Sequence, residues 1–119
     1  MRKKLLAVVP LLGLVLAAPA LIAADSASWT GEVLDLACYV ANDAHGEGHA
    51  DCAKTCVKNG QPMGLLTDDG TIVLLAADHK DGAPYEKLKD HAGEKVEVTG
   101  TLAEKNGMKV VTVTGAKAM

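Results

Sequence analysis

The stretch Glu94 to Thr114, EKVEVTGTLAEKNGMKVVTVT, constrains the fold more than any other part of the chain. Val96, Val98, Gly100 and Leu102 alternate with Lys95, Glu97, Thr99 and Thr101, which is the period of a strand with one face turned inward. Asn106-Gly107 follows, and that pair suits the positive φ angles of a two-residue hairpin turn. Met108 to Thr114 then reads as the returning strand. A hairpin with one apolar face does not stand alone in water, so it requires further strands or a helix to cover that face.

The preceding residues supply them. Ser28 to Leu36 reads as a strand with Trp29, Gly31 and Val33 on one face and Thr30, Glu32 and Leu34 on the other. Met63–Thr67 and Thr71–Ala76 are apolar runs joined by Asp68-Asp69-Gly70, a hairpin signal. Between the third and fourth strands lies DGAPYEKLKDHAG, with Pro84 suited to a first helical turn and Gly93 to the position past the last. Tyr85, Leu88 and Ala92 make one stripe on that helix. The expected fold is mainly β: a small five-stranded OB-like barrel with one helix between strands 3 and 4 and a short Cys/His-bearing helical insertion after strand 1. Closure into a barrel also removes exposed strand edges. The alternative is a small α+β sandwich of the same elements. Trp29, Tyr39 and Tyr85 are the only aromatic residues, so the core is expected to be aliphatic.

Residues 1–24 read as a secretory signal. Arg2, Lys3 and Lys4 precede an apolar run from Leu5 to Leu16, and small residues follow, with cleavage expected after Ala24. An uncleaved anchor is the alternative, since Leu5 to Ala24 is about the length that spans a bilayer. The expected organisation is therefore a signal peptide, 1–24, and a single domain, 25–119, in the periplasm or secreted, without membrane attachment after cleavage. That domain keeps nine basic against fifteen acidic residues, a net charge of −6. Such a surface excludes nucleic acid as a partner, because strand binding needs a basic groove and stacking aromatics. A domain of about 95 residues buries little more than ~60% of its unfolded surface, so a covalent or metal crosslink adds appreciably to its stability.

All three cysteines and two of the four histidines lie between Cys38 and Cys56, in CYVANDAHGEGHADCAKTC. Cys38 falls at the expected end of the first strand. His49–Lys58 reads as a short helix stopped by Asn59-Gly60 and Pro62. On that helix His49, Cys52 and Cys56 lie within about 60° of one another, while Ala50, Ala53 and Val57 occupy the adjoining sector. Three thiolates and one imidazole form a complete tetrahedral set for Zn²⁺, so Cys38, His49, Cys52 and Cys56 are the expected metal ligands. Copper is the alternative metal, since thiolates also suit Cu(I).

A disulfide is the competing reading, because an exported protein meets an oxidising compartment. Cys38 paired with Cys52 or Cys56 leaves one thiol over, which counts against it. No catalytic role is expected: C-x-x-C is absent, and nothing supplies an orienting group or oxyanion hole for a Cys52–His49 pair. His45 is read as a loop residue or a substitute for His49, and His79 and His91 as surface residues. Met63 is read as core. Asp35, Glu47 and Asp51 are read as solubilising charges, or as outer partners for an imidazole.

From Gly31 to Gly64 the chain runs GEVLDLACYVANDAHGEGHADCAKTCVKNGQPMG. This resembles a group of uncharacterised exported bacterial domains. They have a G-E-V/I-V-D strand, a Cys followed by an aromatic, a Gly-rich turn, H-x-x-C-A-x-x-C and a G-x-P, completed by a small OB-like barrel. The resemblance carries over to Cys38, His49, Cys52 and Cys56, and to Gly60 and Pro62. It implies an exported barrel with a cysteine–histidine site and brings no established activity. The expected function is that of a small metal-binding domain, structural or metal-handling, whose partners are a metal ion and an envelope protein. The alternative is a disulfide-stapled envelope interaction module without metal or catalysis.

Overall fold

A computed structural model of the chain describes residues 10, 13–15 and 26–119; the expected signal segment otherwise lies outside the described residues. Among these residues no helix is long and apolar enough to cross a membrane. Strands β1 (Ala27–Asp35), β2 (Met63–Thr67), β3 (Ile72–Ala77), β4 (Lys95–Lys105) and β5 (Met108–Ala118) close into a barrel in the order β1-β2-β3-β5-β4. The β3–β5 pairing is parallel and all others are antiparallel. Helix α3 (Ala83–Leu88) and a 3₁₀ turn, Lys89–His91, connect β3 to β4. This is the expected OB-like arrangement.

Its core is aliphatic. Val33, Leu65, Val96, Val98, Val111 and Val113 point inward, and Leu88 and Ala92 close the barrel from the helical side. Burying each valine or leucine contributes about 1.5–3 kcal/mol relative to leaving it exposed. Met63 is fully buried in the same cluster, in keeping with its reading as core. The Asn106-Gly107 turn takes positive φ at both residues, as a type I′ turn requires.

Leu102 departs from the expected inward face and is 43% exposed. The β1–β4 pairing ends at Ala27↔Gly100, so beyond Gly100 strand β4 has only β5 as its neighbour. The alternation continues there with no second layer to cover it.

The insertion between β1 and β2 holds two helices rather than the one expected. These are α1 (Leu36–Asn42) and α2 (Ala50–Lys58), separated by a loop and a 3₁₀ turn, Glu47–His49. Cys38 therefore lies in the first turn of α1 and not at a strand end. The cause is Asp35, which closes β1 and caps α1. Its Oδ1 accepts from Ala37 N at 3.0 Å and from Cys38 N at 3.4 Å, and satisfying these orphan donors starts the helix.

Helix α2 lies against the segment that leads into β4. Ala53 and Val57 are buried in the main core, and the close neighbour of Ala50 is Gly93. Lys58 Nζ meets Asp90 Oδ1 at 2.8 Å, and Lys54 Nζ meets Glu94 Oε2 at 3.6 Å. The Lys58 ammonium holds the Asp90 carboxyl below its usual range. A lowered carboxylate contributes stability above its ordinary pKa and loses it as pH falls through the lowered value. Lys58→Met should return Asp90 toward the ordinary value in a carboxylate-resolved NMR titration. It should barely move the melting temperature at neutral pH, because both side chains are more than half exposed and screened by solvent.

Candidate metal centre

The end of β1 is held from both sides, and this places Asp35. Leu34 and Asp35 pair with Gly64 and Met63 of β2. Leu36 N beyond the strand extends that ladder by donating to Pro62 O at 3.0 Å; on the other side Gly93 N donates to Val33 O at 2.7 Å and Val33 N donates to Glu94 O at 3.1 Å. The Asp35 side chain is consequently 1% exposed. One carboxylate oxygen caps α1. The other, Oδ2, is buried and accepts no hydrogen bond.

Three residues from three elements converge at this carboxylate. A carboxylate oxygen of Asp35, the Cys38 sulfur and a ring nitrogen of His49 all lie within 4.8 Å of one another. His49 Nε2 is also buried without a partner. A tetrahedral ion with bonds of about 2.0–2.3 Å spaces its ligand atoms roughly 3.3–3.8 Å apart, so small side-chain movements suffice to close this group on an ion.

His49 is brought here by its loop. Its backbone N–H donates to Gly46 O at 3.0 Å, and Gly46 N donates to Glu32 Oε2, also at 3.0 Å. His45 turns to the same carboxylate, with Nδ1 3.8 Å from Glu32 Oε2, and stacks edge-on against Tyr39 with ring centroids 5.7 Å apart. Of the two loop histidines, it is thus His49 that joins the cluster, while His45 ties the loop to β1. His79 is exposed, as expected; His91 is half-buried against Glu94 at 3.2 Å.

The remaining cysteines come from α2. Cys56 is half-buried and lies near Asp35, Cys38 and Cys52, outside the close group of three donors. Cys52 is exposed at the outer edge, beside Cys56. All three thiols are unbridged. Cys56 is pushed up to about 12, first by its polar contact with the Asp35 carboxylate, which keeps the proton on sulfur, then by burial and by the carboxylate's charge. Cys38 is raised for the same leading reasons, offset in part by its contact with Cys56. These sulfur contacts do not satisfy Asp35, whose Oδ2 still lacks a formed hydrogen bond. The cluster is an accumulation of donors for a cation that includes one carboxylate.

Asp35 corrects the sequence expectation, which placed it among the solubilising charges. Its signal was present in D-x-x-C after an alternating strand, a spacing that serves both as a helix cap and as a side-chain pair at i, i+3. Glu47 and Asp51 are exposed. Glu47 lines a separate cleft of about 580 Å³ with Glu32, His91 and Glu94, outside the cysteine cluster.

No family model, curated protein or solved structure matches the chain.

Proposed function

We propose that the protein is a small exported metal-binding domain whose cysteine–histidine site, built on Cys38, His49, Cys52 and Cys56, holds Zn²⁺, with copper as the second candidate. One observation carries this reading. Two buried polar atoms, Asp35 Oδ2 and His49 Nε2, lack partners in the same cluster as the Cys38 thiol. Buried polar groups without partners are costly, and a metal ion supplies the partner here.

A dication would also reverse the protonation of the thiols. The carboxylate that holds protons on Cys38 and Cys56 would be paired by the ion, and each coordinating thiol would lose its proton. Uptake therefore releases protons, and retention weakens as pH falls.

The test is to purify the protein from the periplasm without reductant and measure mass, free thiols and bound metal on one sample. One metal per chain with undiminished mass supports the reading. A mass lower by two hydrogens, with a single free thiol and no metal, would overturn it and select the disulfide-stapled interaction module.

A further inference from the structure

The geometry points to Asp35 as a direct ligand in place of Cys52, giving an Asp35–Cys38–His49–Cys56 set that selects a divalent ion over Cu(I). This rests on the metal-binding reading above and revises its ligand set, with Asp35 replacing Cys52. Asp35, Cys38 and His49 already form the tightest group of donors. Neither remaining sulfur belongs to that group; Cys56 is half-buried and Cys52 exposed, so Cys56 is the sulfur placed to complete the set. Asp35 Oδ2 is buried with no hydrogen bond, while Oδ1 is occupied in capping α1. An outer-shell partner needs an imidazole N–H to accept; Oδ2 accepts none, so it is free to ligate.

The donor set decides the metal. A carboxylate, two thiolates and a neutral imidazole carry three negative charges. With a dication the site retains one negative charge, and with a monovalent ion it retains two, in a half-buried place where residual charge is costly. An oxygen donor also suits the borderline Zn²⁺ better than the soft Cu(I), which favours sulfur. In this arrangement Cys52 stands outside the closed set as an accessible thiol.

Co²⁺ is a suitable probe, because thiolate-to-cobalt charge transfer counts the coordinated sulfurs. The reduced wild-type protein and the Cys38→Ser, Cys52→Ser, Cys56→Ser and Asp35→Asn variants are titrated with Co²⁺, which is then displaced with Zn²⁺. Wild type and Cys52→Ser should show equal charge-transfer intensity per cobalt, and Cys38→Ser and Cys56→Ser about half of it. Asp35→Asn keeps the capping oxygen, so its secondary structure by circular dichroism should be unchanged. Its Zn²⁺ affinity should fall by more than the ~10–100-fold typical of losing an outer partner. If Cys52→Ser loses intensity as the other two cysteine variants do, or if folded Asp35→Asn binds as tightly as wild type, the ligand assignment is overturned and the metal reading survives. If wild type takes up neither ion, both are overturned. Should Asp35→Asn not fold, the Cys52→Ser comparison decides alone.

Discussion

On the proposed reading, stripping zinc from the wild-type protein with a strong chelator should lower its melting temperature by on the order of 15 °C or more. Free metal at about a thousand times Kd stabilises a fold by about 4.1 kcal/mol, and for a domain of this size each kcal/mol shifts Tm by roughly 4–8 °C. The local reason is the pair of buried atoms without partners, Asp35 Oδ2 and His49 Nε2. The barrel does not otherwise depend on them. Leu65, Val96, Val98, Val111 and Val113 are buried in the main core. The stripped protein should accordingly melt cooperatively at a lower temperature, and not unfold outright as a metal-dependent finger does. Calorimetry on matched loaded and stripped samples checks this. An unchanged Tm in a sample that holds one zinc per chain would show that the ion contributes nothing to the fold.

Gly93→Val is expected to damage both the fold and the site, although Gly93 carries no ligand. Its φ is +80°, and a Cβ there would stand 2.6 Å from Ala50 Cα and 2.8 Å from Ala50 Cβ. A β-branched residue meets backbone strain of about 1–3 kcal/mol and overpacking of a similar size. The combined loss is expected at about 2–6 kcal/mol. Ala50 begins helix α2 and directly follows His49, so relieving the clash moves the imidazole away from Asp35 and Cys38. Zinc affinity should fall along with Tm. Gly60→Ala is the control: its φ is +99°, but nothing lies within 4 Å of the added Cβ. It should cost stability from strain alone and leave zinc affinity near that of wild type. Equal zinc affinity in Gly93→Val and wild type, measured by competition with a chromogenic chelator, would mean that α2 is seated by something other than this contact.

The two predictions rest on parts of the chain that were legible to different degrees. The β4–β5 hairpin was plain because alternation and Asn-Gly are local signals, and the β2–β3 hairpin for the same reason. Val57 and Ala53 were placed correctly on the core side of α2, since helical spacing alone separates them from the ligand face. Cys38 was misplaced by the same local method. Asp35 fits both the end of an alternating strand and the cap of a helix, and only the hydrogen bonds to Ala37 N and Cys38 N decide between them. Leu102 was misread because its alternation was real but the neighbouring strand ends at Ala27.

The sequence by itself determined the class of fold, the aliphatic character of the core and the stretch in which the donor residues lie. These follow from periodicity, turn residues and composition, all of which act over a few residues. Tertiary structure alone decided that Asp35 is buried and that the expected His49 stands beside it. It also decided that Cys56 is half-buried and Cys52 exposed. Those outcomes depend on where β1 is clamped between β2 and residues 92–94, and on how closely α2 approaches Gly93. Such contacts join residues far apart in the chain, and no local pattern encodes the distances between them.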